Sequence, residues 1–168
     1  MWAVVACRPE CLYAMSVLSR YLVNPGLKHW RAANYLLRYM LGTAERGTVL
    51  FSPFSDRKKP VILSGRCDSS HADDADSRKS TIGWVWIVNG AVSASAKRAT
   101  HRTLSAQGAE MTAASECFRE GTWLRGFLQD LGEVQIGPTY VFTDNSGAVA
   151  ASSQLLAQTR CDEWLVWR

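Results

Sequence analysis

Three acidic side chains stand where apolar segments give way to polar ones: Asp68 in SGRCDSS, Glu110 in TLSAQGAEMTAAS and Asp144 in YVFTDNSGA. Carboxylates gathered from separate elements repel one another. Burying them unpaired costs several kcal/mol unless a cation neutralises them or their pKa values shift. An all-oxygen ligand set selects Mg2+ or Mn2+ over zinc. Two such ions about 4 Å apart activate a water and stabilise the leaving oxygen of an in-line phosphodiester displacement. The expected chemistry is therefore metal-dependent hydrolysis, with Asp68, Glu110 and Asp144 as both metal-binding and catalytic residues. Competing chemistries find no support. The only histidines are His29, His71 and His101, none in a Ser-His-Asp or Cys-His arrangement, and no Walker loop or GxGxxG is present.

These acids need elements to position them. VILSGRCD (61–68) reads as a strand. TIGWVWIV (81–88) is a second strand, closed by Asn89-Gly90, the favoured hairpin turn because both residues tolerate positive φ. AVSASAKR (91–98) returns as a third, so the first three strands form an antiparallel meander. A long helix runs from about 105 to 131, with Met111, Ala114, Phe118, Leu124, Leu128 and Leu131 on its buried side and Gly132 as terminator. Glu110 shares a face with Ala114, Cys117, Gly121 and Leu124. TYVFTD (139–144) is a fourth strand, and NSGAVAASSQLL opens a second helix. The order β-β-β-α-β-α predicts an α/β domain with a mixed sheet flanked by helices. If the first and fourth strands are neighbours, Asp68 and Asp144 lie side by side and Glu110 reaches them from the crossing helix.

An N-terminal helical extension precedes this domain. Leu12, Met15, Ser19 and Leu22 recur at helical spacing from Pro9 to Val23, until Asn24-Pro25-Gly26 stops the helix. A second helix spans about 28 to 41, with Trp30, Ala33, Leu37, Met40 and Leu41 on its apolar face. TVLFS follows as a short strand. The polar break SPFSDRKKP divides residues 1–55, a helical segment, from residues 56–168.

The 168 residues are 47% hydrophobic and 20% charged, an ordinary globular balance that excludes a disordered chain. A net charge of +4 is compatible with a polyanionic partner. Five cysteines without CxxC pairs or zinc-finger spacing read as reduced thiols of an intracellular protein. No basic region with a long apolar stretch marks a signal peptide, and no apolar run is long enough to span a membrane.

Three acids on a mixed sheet suit both a ribonuclease H and a DDE-type integrase. In the integrase the glutamate follows the second strand-end aspartate. Here it precedes it, which favours ribonuclease H. The surrounding words carry a closer likeness. CRPECLYAMSVLSRYLVNPGLKHWRAANYLLRYMLGT, DSRKSTIGWVWIVNGAVSASAKR, TLSAQGAEMTAASE and VFTDNSGAVA resemble, in order, the segment linking reverse transcriptase to ribonuclease H and the DRKSTSGYVF, ALSSTEAEY and CDNQSA motifs of copia-type (Ty1/copia) LTR retrotransposon Pol polyproteins. The resemblance covers nearly the whole chain. It implies a ribonuclease H-like fold, truncated at its C-terminus, that cuts the RNA strand of RNA–DNA hybrids with two Mg2+ or Mn2+ ions. It also implies a reverse transcriptase domain as partner within one polyprotein, and a particle in the cytoplasm or nucleus.

The chain departs from the pattern in places. The family's GYSDADWAGD is here GRCDSSHADD, and Gly108 replaces the first helical acid. The closing RTKHID reads QTRCDEW. Matching TR to TK puts Cys161 at the histidine and Glu163 at a fourth metal-binding acid. An ungapped match puts Trp164 there instead, and Asp162 is a further option. Such departures leave an alternative function open, a decayed or repurposed fragment that binds nucleic acid or is purely structural. For a hybrid substrate, Lys79, Lys97, Arg98, His101 and Arg102 cluster ahead of the catalytic helix as phosphate contacts, with Ser80 and Thr81 as hydrogen-bond donors. Trp84 and Trp86 alternate with Val85 and Ile87 and are expected in the core rather than stacked on bases.

Overall fold

The computed structural model describes residues 2–46, 61–147 and 149–150, and the backbone of 165–167. The element order is α1 (Trp2–Cys7), a 3-10 turn (Pro9–Cys11), α2 (Leu12–Ser19), α3 (Leu27–Gly42), β1 (Ser64–Ser70), β2 (Thr81–Ile87), β3 (Ala91–Arg98), α4 (Ala106–Asp130), β4 (Thr139–Phe142) and β5 (Leu165–Trp167). The strands make one mixed sheet in the order β3-β2-β1-β4-β5. β1, β2 and β3 pair antiparallel in sequence, whereas β4 runs parallel to both β1 and β5. The meander, its Asn89-Gly90 turn with both φ values positive, and the β1–β4 contact therefore match the sequence reading. The β5 strand was not anticipated, because CDEW gave that end of the chain a polar reading. The expected TVLFS strand, the boundary near Ser55 and most of the helix after Asp144 lie outside the described residues.

Side-chain alternation explains how helices cover both faces of the sheet. On β3, Ser93 Oγ donates to Glu120 (2.7 Å) and Lys97 Nζ to Glu116 (2.9 Å), so odd positions face α4. Ala94 and Ala96 point the other way, onto a cluster of Val4, Cys11, Leu12 and Leu36 from the N-terminal helices. The larger core lies under α4 and includes Leu63, Cys67, Ile82, Trp86, Ala113, Cys117, Leu124 and Val141. At its centre Trp86 is fully buried and donates its indole N–H to the Cys117 carbonyl (3.2 Å). Its ring lies between two glycines. A Cβ on Gly65 would come within 2.9 Å of the ring, and one on Gly121 would collide with it. Glycine at both positions is what lets α4 approach the sheet closely enough for Glu110 to reach β1.

The N-terminal helices differ in detail from the reading. The single helix expected from Pro9 to Val23 is instead a 3-10 turn and an α2 that ends at Ser19, and an unexpected α1 precedes them. On α3, the expected stripe is met in part, since Met40 packs against the N-terminal cluster and Ala33 is half-buried. Leu36 is buried, whereas Trp30, Leu37 and Leu41 are exposed. Hydrophobicity alone could not choose the inward face, because α3 carries more large apolar residues than a two-helix contact can bury. On α4, Leu131 is exposed rather than buried, and Glu110 takes a place in the inward stripe.

A buried carboxylate ties the helical segment to the sheet. Asp74, 3% exposed, accepts hydrogen bonds from Arg20 (3.0 Å), which follows α2, from Arg98 of β3 (3.1 Å), and from the Ser77 amide (3.1 Å) and hydroxyl. Ser77 and the two guanidiniums hold its carboxyl well below the ordinary value of 3.8, outweighing burial, which pushes the other way. A lowered folded pKa means this contribution is complete above that ordinary value and disappears as pH falls through the folded one. Asp74→Ala should lower stability at neutral pH by about 1–3 kcal/mol, by stranding Arg20, and should flatten the acid limb of the melting-temperature profile. Thermal melts across the acid range check both.

Candidate metal centre

The sheet register places the two aspartates. Arg66 pairs with Phe142 across the parallel β1–β4 ladder. Two residues further along each strand direction lie Asp68, still within β1, and Asp144, just past β4. Side chains at the same level of neighbouring parallel strands, roughly 4.8 Å apart, meet without any special loop. Glu110 arrives from above. Ser105 caps α4 by accepting the Gly108 amide (3.0 Å), which fixes where the helix starts and puts Glu110 in its second turn. One oxygen from each of Asp68, Glu110 and Asp144 lies within 4.8 Å of the others. Two oxygens on opposite sides of one Mg2+ stand about 4 Å apart, so a shared ion needs only a small contraction.

Glu110 is the unusual member. It is 5% exposed, while Asp68 and Asp144 are open to solvent. Its Oε1 accepts from the Ser69 hydroxyl (2.7 Å) and the Ser69 amide (3.2 Å). Its Oε2 is buried with no hydrogen-bond partner. Burial raises the Glu110 pKa above the ordinary carboxylate value, the Ser69 hydroxyl opposes this, and the charges of Asp68 and Asp144 raise it further. A buried carboxylate with one unpartnered oxygen, in a cluster with two more carboxylates, is an unfavourable arrangement for the protein alone. It fits a hard divalent cation, whose charge offsets both the desolvation and the mutual repulsion.

The residues expected to hold substrate are dispersed in role. Lys79 Nζ donates to the Thr100 carbonyl (2.6 Å), and Lys97 pairs with Glu116 (2.9 Å). Arg98 is committed to Asp74 (3.1 Å). The expectation for Ser80 and Thr81 is corrected. Ser80 is 1% exposed and its Oγ accepts the Ala72 amide (3.1 Å), while Thr81 is 5% exposed and donates to Asp73 (2.6 Å). Both hydroxyls hold the β1–β2 loop in place and neither can reach a duplex. Arg102 and His101 are exposed, and among the described residues neither pairs with an acid. Cys161, Asp162, Glu163 and Trp164, the alternatives for a fourth acid position, lie outside the described residues.

Two features were missed from sequence. Ser69 gave no signal apart from adjacency to Asp68, and Asp74 looked like one of several acids in a polar loop. Trp84 and Trp86 do pack into the core rather than outward. No helix among the described residues is long and apolar enough to cross a membrane.

Comparison with known proteins gives three informative relatives. The chain is 38% identical over 161 residues, 95% of its length, to the Retrovirus-related Pol polyprotein from transposon TNT 1-94 of Nicotiana tabacum, covering 12% of that protein. It is 30% identical over 142 residues, 84% of its length, to the corresponding polyprotein from transposon RE2 of Arabidopsis thaliana, covering 9% of it. It is also 34% identical over 125 residues, 74% of its length, to Secreted RxLR effector protein 161 of Plasmopara viticola, and there the match covers 84% of the relative. The chain thus spans only a small fraction of the two polyproteins. No family model and no solved structure matches it.

Proposed function

We propose that this chain, homologous over 95% of its length to one part of a retrotransposon Pol polyprotein, derives from the Ty1/copia group and is a ribonuclease H-like module, residues 56–168, preceded by a helical connection segment, residues 1–55. Its reaction is endonucleolytic hydrolysis of the RNA strand of RNA–DNA hybrids. The reading rests on one observation above all, the convergence of one oxygen each from Asp68, Glu110 and Asp144 within 4.8 Å of one another, in a cluster whose Glu110 also keeps a buried, unpartnered oxygen. The strand order β3-β2-β1-β4-β5, with the acids on β1, α4 and the end of β4, supports the same assignment.

The residues divide the work. Asp68, Glu110 and Asp144 would hold two Mg2+ or Mn2+ ions, with Glu163 as a further candidate ligand. When bound, the metal pair activates water and stabilises the leaving oxygen of the phosphodiester. Glu110 offers its unpartnered Oε2 to that pair, and the exposed Asp68 and Asp144 carboxylates leave the approach open to a wide, shallow minor groove. Arg102 and His101 remain as exposed cationic or neutral donors for phosphates, and Lys79 and Lys97 can reach them only by leaving their present partners. A reverse transcriptase domain elsewhere in the polyprotein is the natural neighbour of the helical segment.

A second reading is a stand-alone, repurposed fragment that keeps the fold without cutting. It is favoured by the 84% coverage of a relative whose name describes a secreted effector rather than a polyprotein. A strand-labelled RNA–DNA hybrid separates the two. The nuclease reading expects Mg2+-dependent cuts in the RNA strand alone, abolished by EDTA. Hybrid binding with no cleavage at any Mg2+ or Mn2+ concentration establishes the second.

A further inference from the structure

We propose that Ser69 is a positioning residue for the metal pair: its hydroxyl and amide occupy Glu110 Oε1, so that Oε2 alone is presented to the ion. The inference rests on the metal-centre reading above and adds to it the residue that orients its least accessible ligand.

The geometry follows from the β1 ladder. Gly65 pairs with Trp86, Cys67 with Trp84 and Ser69 with Ile82, so these three share the sheet face that lies under α4. Ser69 is the last of them and the one level with the start of α4. Its hydroxyl donates to Glu110 Oε1 (2.7 Å), and its amide lies 3.2 Å from the same oxygen and 2.7 Å from Asp68 Oδ1. One residue therefore touches two of the three carboxylates. A carboxylate can accept on both oxygens, yet here every donor is on one of them, and the other is buried and bare. Two donors fixed on a strand hold the carboxylate plane in one orientation.

Hydrogen-bond partners of metal ligands commonly matter about 10- to 100-fold in metal affinity. The motif GYSDADWAGD, which this stretch resembles, reads alanine at the position of Ser69, and a methyl group cannot donate. The clamp is thus a property of this chain's own residues rather than of that motif.

The test measures Mn2+ binding to the full 168-residue chain by electron paramagnetic resonance, without reference to turnover. Ser69→Ala should weaken binding roughly 10-fold, because the amide donor survives. Ser69→Thr, which keeps the hydroxyl and suits a strand, should restore affinity to within about threefold of the parent. Glu110→Gln should remove tight binding. If Ser69→Ala binds Mn2+ like the parent while Glu110→Gln does not, the clamp is wrong and the metal centre stands. If Ser69→Ala lowers only the melting temperature, Ser69 merely ties β1 to α4 and the proposal fails. If Glu110→Gln binds as the parent does, the metal centre itself is misassigned.

Discussion

Asp144→Asn should reduce Mg2+-dependent cleavage of an RNA–DNA hybrid by roughly 10³-fold, equivalent to about 4 kcal/mol of transition-state stabilisation. The substitution keeps the side chain's shape and removes one anionic oxygen from a set whose members lie within 4.8 Å of each other. An amide oxygen is a poorer ligand for a hard cation, and the cluster's negative charge falls by a third. Asp144 is exposed just beyond β4, so folding is expected to be untouched. Hybrid affinity without metal should hold or rise slightly, since one charge that repels phosphates is gone. Asp76→Asn is the control. Asp76 is an exposed acid of the β1–β2 loop, outside the cluster, and its loss should leave the rate within about threefold, the scale of a distant screened charge. Equal rates for parent and Asp144→Asn would remove this aspartate from the chemistry.

How much of this was legible in the sequence depends on which interaction decided each feature. The strands were legible because period-2 patterns and the Asn89-Gly90 turn are local signals. The grouping of Asp68 with Asp144 was legible because both end apolar runs, and parallel pairing of those runs then fixes their level. The inward face of α3 was not, since Trp30, Leu37 and Leu41 carry the strong apolar signal yet lie outside, and only tertiary packing into the cluster of Val4, Cys11 and Leu12 selects Leu36. Ser80 and Thr81 read as surface donors because hydroxyl residues in a polar stretch usually are. Their burial follows from the fold of the loop back over β2, which no local pattern encodes. Ser69 was invisible for a different reason. Its role exists only because Gly65 and Gly121 let α4 close on Trp86, and no spacing rule links positions 65, 69, 86, 110 and 121.

That same closeness makes Glu110→Gln a sharper probe of the site than any loss of rate. In the metal-free protein Glu110 is a buried carboxylate with a bare oxygen, and its pKa is raised by burial above the ordinary 4.5. A carboxyl whose folded pKa exceeds its unfolded value binds more protons folded than unfolded between the two. Its contribution to stability therefore falls as pH rises past that ordinary value, and the full penalty is present above the folded pKa. Asp74 has the opposite sign and loses its contribution on the acid side. The contributions of these two carboxylates together favour the metal-free fold most on the acid side of neutrality. Glutamine keeps an oxygen for Ser69, removes the charge, and can donate to Asp68 or Asp144. Glu110→Gln should thus stabilise the metal-free protein at neutral pH by about 1 kcal/mol, a rise of roughly 2–4 °C in Tm. With Mg2+ the proposed metal centre should reverse the order. A parent saturated at about 100 times its Kd gains roughly 2.7 kcal/mol, and the variant, lacking its third anionic ligand, gains almost nothing. Thermal melts of both proteins with EDTA and with Mg2+ read the crossing directly. A parent whose Tm ignores Mg2+, or a variant less stable than the parent in EDTA, would show that the buried carboxylate is satisfied by the protein alone and waits for no ion.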